Sequence, residues 1–278
     1  MSALPTGGDA IVARWRTGEI SPEIAVTQLL FAGAGADLAE RLREVGEAEL
    51  ARFAAARREG LAEVAGLIAA GLEPEDGSPE ATRALFDRLA AHAPDPAVAA
   101  YALGDPETLA RATDELVGVI EAWAGVAGKR VLDFGCGTGR VAAALGGQAA
   151  HVTGVDLSPG MIAEARRRHG ENERLTFQVV EPDGERLGRF DLVLAVDSLP
   201  FVERGGTAFH ARTLARLAEA TSPSGDLLVF NWSYRGDLDE DVWEARRFAG
   251  AHGLDLVRSA ERPFAIWDGL GFHFRARP

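Results

Sequence analysis

Cysteine is nearly absent from this chain: its 278 residues include one, Cys136. A lone cysteine excludes an internal disulfide and sets aside a metal site built from thiolates, so no metal is expected. No run approaches the roughly eighteen apolar residues of a membrane span, and the N-terminus has no charged segment leading into an apolar stretch. These absences predict a cytoplasmic protein with no membrane partner. Positive charge is also scarce, with 29 Lys and Arg against 42 Asp and Glu. Residues 1–120 hold 20 of the acids and 10 of the bases, so the deficit is concentrated there. A protein that follows a phosphate backbone needs a basic face, and nucleic acid is not an expected partner. The basic run Arg166–Arg168 reads as a solvated helix face.

What is present is a glycine turn. Val131-Leu-Asp133-Phe-Gly135-Cys-Gly137-Thr-Gly139-Arg140 is an apolar run that ends in an acid and three alternating glycines. Glycine at every second position lets the backbone turn with positive φ and approach a ligand without a Cβ in the way. A dinucleotide fingerprint would place its third glycine at position 140, which is Arg140. That spacing argues against NAD. Cys136, inside the turn, reads as a small packing residue.

Further short β-like runs follow. His151–Asp156 ends in an acid, and Ser158-Pro159 has the form of a helix start, with Ser158 as N-cap and Pro159 at the first helical position. Arg174–Val180 ends before Glu181-Pro182-Asp183, and Phe190–Val196 is nearly continuous in apolar residues, as a strand covered on both faces should be. A fifth strand is expected over Asp226–Trp232 after a Ser222–Gly225 turn, and Leu254–Arg262 and Leu270–Arg277 should complete the sheet. Strands alternating with helical segments imply right-handed crossovers, a parallel sheet, and a ligand at the carboxyl ends of the strands.

Asp133-x-Gly135-x-Gly137-x-Gly139 resembles the first motif of the class I S-adenosylmethionine-dependent methyltransferases, and the resemblance covers roughly residues 121–278. It implies an α/β fold with a seven-stranded, mostly parallel Rossmann-like sheet whose last strand is an antiparallel edge. It also implies S-adenosylmethionine as cofactor, S-adenosylhomocysteine as product and a small-molecule acceptor. Cofactor-binding positions carried over are Asp133, Gly135, Gly137, Gly139, Asp156, Leu157, Met161, Glu181, Pro182 and Asp197. Asp156 would accept both ribose hydroxyls, because an ionised carboxylate offers two oxygens to two vicinal donors. Glu181 or Asp183 would accept from the adenine amino group, and register favours Glu181.

The acceptor site is less defined. Candidates for catalysis are Tyr101, one of only two tyrosines, then Tyr234, and His273, whose imidazole suits a base near neutral pH. Candidates for substrate contact are Phe201, Trp232 and Tyr234. The last two would share a strand face if the fifth strand continued that far, with core packing as the alternative. Ser198-Leu-Pro-Phe201 loosely matches a motif of enzymes that methylate amino groups of bases or glutamine, with serine in place of the usual asparagine or aspartate; the alternative is that Asp197-Ser-Leu-Pro-Phe201 resembles the acid-x-Leu-x-aromatic segment of many small-molecule methyltransferases. A cofactor-binding subunit without catalysis and an NAD-linked oxidoreductase are the competing functional classes.

Residues 1–120 are rich in alanine, leucine, glutamate and arginine and should form an all-α region. This region would be a cap, a lid or a homodimer surface, with residues 121–278 as the cofactor-binding domain. Ser21-Pro22-Glu23 should start one helix, residues 37–70 should form one long helix, and another should run from Thr108 to Trp123. Breaks are expected at Glu73–Pro79 and at Pro94-Asp-Pro96.

Overall fold

The computed structural model describes residues 4–71, 76–182, 184 and 186–278. Its helices begin with α1 (Gly8–Arg16), α2 (Pro22–Phe31), α3 (Leu38–Glu44), α4 (Ala48–Ala56) and α5 (Arg58–Ala69). Next come α6 (Pro79–His92), α7 (Pro94–Ala99), a 3-10 turn at Ala100–Ala102, and α8 (Pro106–Ala124). The remainder alternates: β1 (Arg130–Phe134), α9 (Arg140–Leu145), β2 (His151–Asp156), α10 (Pro159–His169), β3 (Leu175–Val179) and β4 (Phe190–Val196). It closes with α11 (Leu199–Arg204), α12 (Thr207–Ala220), β5 (Thr221–Phe230), α13 (Leu238–Ala251), β6 (Leu254–Glu261) and β7 (Gly271–Ala276). Among the described residues no helix is long and apolar enough to cross a membrane.

Two compact units divide these elements. The helical one comprises residues 1–72, 93–112 and 264–268. Ser21 caps α2 by accepting from the Ile24 N–H, and its hydroxyl donates to the Ile266 carbonyl at 2.7 Å. Gln28 donates to Asp268 at 2.9 Å, and Tyr101 stacks on Trp267 with ring centroids 6.1 Å apart. In this way a short segment between β6 and β7 is built into a helical core far from it in sequence. The expected single helix over residues 37–70 is three helices. Gly46 takes φ +84° after α3, and Arg57 leaves helical geometry between α4 and α5, where its guanidinium lies 3.8 Å from the Phe53 ring centre. Gly60 is required by close approach, since a Cβ there would come within 1.6 Å of the Leu103 carbonyl oxygen.

The second unit comprises residues 73–92, 113–263 and 269–278, and holds a seven-stranded sheet in the order β3-β2-β1-β4-β5-β7-β6. β1 to β5 are mutually parallel, and β7 is antiparallel to both β5 and β6. The last strand is therefore antiparallel, as expected, but it is not the edge: it inserts between β5 and β6, and β6 is the border. The order reverses between β1 and β4, the point where sheets of this kind hold ligands. β5 starts earlier than expected, at Thr221, with a register shift opposite Phe190 and Leu192 that absorbs the Ser222–Gly225 turn, and it ends at Phe230. On one face Leu132, Val193, Leu227, Val229, Phe248, Phe272 and Phe274 form a continuous core around Trp232.

Candidate functional site

The glycine turn joins β1 to α9 at the carboxyl edge of the sheet. Gly135, Gly137 and Gly139 all have positive φ, and the Gly135 and Cys136 N–H groups both donate to the Val155 carbonyl, at 2.8 and 3.0 Å. A Cβ on Gly135 would lie 2.4 Å from that of Ser198, so the turn passes against the end of β4 with no space for a side chain. Asp156, the last residue of β2, anchors the arrangement. Its two oxygens accept from Gly137 N–H and Ser158 N–H, each at 2.9 Å. Burial raises the Asp156 carboxyl above its ordinary value, and these two backbone donors oppose the rise. Ser158 caps α10 by accepting from Met161 N–H, with Pro159 at the first helical position, as the sequence indicates.

Asp133 lies directly before the turn and is 1% exposed. Burial pushes its carboxyl up to about 7, against the attraction of Arg140 and reinforced by the nearby Asp156 charge. Its Oδ2 has no hydrogen-bond partner, and neither has the Thr138 or the Ser198 hydroxyl oxygen. Buried polar atoms are almost always satisfied, so three orphans around one glycine turn mark a place where a polar ligand completes the network. The residues present thus fit a nucleoside cofactor with a cationic end.

α6 contributes residues that sequence reasoning did not single out. Asp87 accepts from the Ser158 hydroxyl at 2.5 Å and from Gly160 N–H at 2.8 Å, which places a carboxylate on the first turn of α10. Arg83, one turn earlier, pairs with Glu181 beyond β3, and the Phe86 ring meets that of Phe201 edge-on at 5.0 Å. One helix thereby touches the ends of β2, β3 and β4. The residues fall on one face at spacings of three and four, a periodicity that any amphipathic helix has, and so nothing in the sequence marked them.

Of the other expected cofactor positions, Leu157 is half-buried and Met161 is fully buried in the α10 core. Glu181 holds Arg83, and the Glu181 and Pro182 carbonyls accept from Arg216 at 3.1 and 2.9 Å. Asp183 lies outside the described residues. In the basic run, Arg166 pairs with Glu171, while Arg167 and Arg168 both pair with Glu164.

The ends of β4 and β5 bring together Asp197, Phe201 and Tyr234. Asp197 and Asn231 both adopt left-handed backbone, with φ +55° and +65°. Such strain in residues other than glycine persists only where the surroundings hold it. Here Asp197 N–H donates to the Phe230 carbonyl at 2.8 Å, and Asn231 accepts from Leu270 N–H at 2.9 Å. One carboxylate oxygen, Asp197 Oδ1, accepts from Asn231 Nδ2 at 2.8 Å and from the Tyr234 hydroxyl at 2.7 Å. Tyr234 is 47% exposed, and its ring meets Phe201 at 6.0 Å.

Three expected site residues fall elsewhere. Trp232 is 1% exposed in the core and donates to Glu244 at 2.9 Å; because β5 ends at Phe230 and Asn231 reverses the backbone, it does not share a strand face with Tyr234. His273, a candidate base on its chemistry, is 1% exposed, stacked on Trp123, and bonded to Asp226 near the amino end of the sheet. It sits at the wrong end of the sheet for a base. Tyr101 is 7% exposed and belongs to the helical unit.

Residues 131–225 match the family described as a methyltransferase domain. The YqeM protein of Bacillus subtilis is 28% identical over 162 residues, 51% of this chain and 62% of that protein. The magnesium-protoporphyrin O-methyltransferase of Rhodobacter capsulatus is 35% identical over 112 residues, 38% of this chain and 50% of that one. The chain spans less than two thirds of the length of these curated relatives. Among solved structures, the N-methyltransferase NodS of Bradyrhizobium japonicum, in complex with S-adenosylhomocysteine, matches 70% of this chain and 98% of its own with a TM-score of 0.52 at 18% identity, a likeness of fold.

Proposed function

We propose that this chain, whose residues 131–225 belong to the class I S-adenosylmethionine-dependent methyltransferases, transfers a methyl group from S-adenosylmethionine to a small-molecule acceptor. The observation that supports it most directly is the union of turn and acid: Gly137 N–H on Asp156 Oδ2 at 2.9 Å, beside a buried Asp133 whose Oδ2 is unsatisfied. When bound, the cofactor supplies an electrophilic methyl group on a sulfonium, so the protein's task is positioning and exclusion of water. Asp156 has lone pairs left for ribose hydroxyls after its two backbone bonds. Asp133 offers an acceptor oxygen to a cationic or water donor. Glu181 would have to exchange its Arg83 partner to accept from adenine.

Calorimetric titration with S-adenosylmethionine, S-adenosylhomocysteine and NADH tests this. Micromolar binding of the first two with none of NADH is the expected result. Binding of NADH, or of none of the three, would overturn the reading. Transfer of radiolabel from the methyl group to a metabolite extract from the native host then checks turnover.

A further inference from the structure

We propose that the acceptor is an amine, held at the ends of β4 and β5 against the rings of Phe201 and Tyr234 with Asp197 as its counter-charge. This rests on the methyltransferase reading of the same unit. The chemistry required of the protein differs between acceptors. A hydroxyl must lose its proton as it attacks, which calls for a base. An amine that arrives as an ammonium first releases one proton to solvent. The lone pair of the neutral nitrogen then forms the bond to the methyl carbon, the electron pair of the carbon–sulfur bond returns to sulfur, and the positive charge moves from sulfur to nitrogen, with no base required of the protein in the transfer itself. The product ammonium then releases its proton to solvent. What this route needs is a fixed negative charge and surfaces that attract a cation.

The ends of β4 and β5 have both. Asp197 Oδ1 is held by two donors, Asn231 and Tyr234. Two left-handed residues that brace each other fix its position. This makes Asp197 an anchoring group at the ends of the two strands. Beside it, Phe86, Phe201 and Tyr234 meet edge to face, at 5.0 and 6.0 Å. The chain itself shows that these rings draw a cation, because the Arg204 guanidinium carbon lies 5.8 Å from the centres of both Phe201 and Tyr234. Of the imidazoles, His273 is bonded to Asp226 at the other end of the sheet, and His210 is 8% exposed and edge-on against Trp232.

The test uses the full chain saturated with S-adenosylhomocysteine, titrated with phenethylamine and with its uncharged analogue 2-phenylethanol. The amine should bind about tenfold more tightly than the alcohol. Asp197→Asn should remove that preference while changing the affinity for S-adenosylhomocysteine by less than about threefold. Equal binding of amine and alcohol, binding of neither, or retention of the preference in Asp197→Asn overturns the proposal. So does a large loss of S-adenosylhomocysteine affinity in Asp197→Asn, which would make Asp197 part of the cofactor site. Failure of wild-type chain to bind S-adenosylhomocysteine at all strikes the methyltransferase reading instead. With labelled cofactor, phenethylamine should accept methyl groups where phenol and benzoate do not.

Discussion

Asp133 and Asp226 are both buried carboxylates on parallel strands of one sheet, 1% and 3% exposed, and they stand at opposite ends of it. Asp226, at the amino end, receives Lys129 at 3.0 Å, His273 at 2.8 Å and Arg275 at 2.9 Å. Burial alone would raise its carboxyl, but the hydrogen bonds from His273, Lys129 and Arg275 outweigh burial and hold it at about 2. Asp133, at the carboxyl end, has Arg140 and a backbone hydrogen bond from Ala142 against burial and Asp156, and stands at about 7. The amino end is therefore closed electrostatically by the protein itself, and the carboxyl end is left open. A charge left uncompensated at the turn lowers the stability of the free protein and is relieved when a ligand brings a donor, the usual trade between stability and function.

The largest expected effect comes from breaking the closed end. Asp226→Asn leaves three cationic or polar groups without their shared carboxylate. Loss of one partner from a buried pair costs roughly 3–5 kcal/mol, and partial exposure of Lys129 and Arg275 places this case at about 3 kcal/mol. Since the folded carboxyl lies below its unfolded value, this stability is present above about pH 4 and lost as pH falls towards 2. Denaturant unfolding at pH 7 and pH 3 should show the gap between wild type and variant narrowing at the lower pH. A constant gap would mean that Asp226 contributes through shape and not charge.

At the open end, Asp156→Ala should weaken S-adenosylhomocysteine binding by about 1–3 kcal/mol, because two buried ribose donors lose their acceptor. Calorimetry measures it directly. Unchanged affinity would show that Asp156 serves only to tether Gly137 and Ser158.

Asp133→Asn sharpens the comparison, since its expected sign is opposite to that of Asp226→Asn. A folded carboxyl raised to about 7 favours the protonated form, so wild type loses stability as pH rises from about 4 to about 7. Each pKa unit corresponds to about 1.4 kcal/mol, and relaxation around a buried charge reduces the realised sum. The ligand-free variant should be about 1–3 kcal/mol more stable than wild type at pH 8 and equal to it at pH 4. Its cofactor affinity should fall. A variant no more stable at pH 8 would show that Asp133 is compensated in the free protein after all.

Much of the open end was legible in the sequence because its requirements are local. Alternating glycines, an acid closing each of β1 and β2, and Ser158-Pro159 at a helix start each state a backbone need within a few residues. The parallel sheet followed from the alternation of strands and helices, but the placement of β7 inside β6 did not, because strand pairing between distant segments leaves no local mark. The closed end was illegible for the same reason: Lys129, Asp226, His273 and Arg275 meet only once β1, β5 and β7 are paired. His273 looked like a base on chemistry alone, and only its partner shows otherwise. The break of residues 37–70 into three helices turned on Gly46 and Arg57, whose apolar neighbours keep helical spacing across both breaks.

The smallest effects concern the link between α6 and the turn. The Ser158 hydroxyl accepts from Met161 N–H at 3.0 Å and donates to Asp87 at 2.5 Å, so one oxygen both caps α10 and ties α6 to it. Ser158→Ala removes a helix cap and should cost about 1 kcal/mol. Asp87→Ala removes the tie but leaves the cap, and should cost about the same by leaving Gly160 N–H without its carboxylate. If the two act through the shared hydroxyl, the double variant should cost less than the sum by about 0.5–1 kcal/mol, as contacting residues in one network do. Full additivity in denaturant unfolding would mean that α6 rests on α10 through packing, and that its hold on the carboxyl end of the sheet depends instead on Arg83 and Phe86.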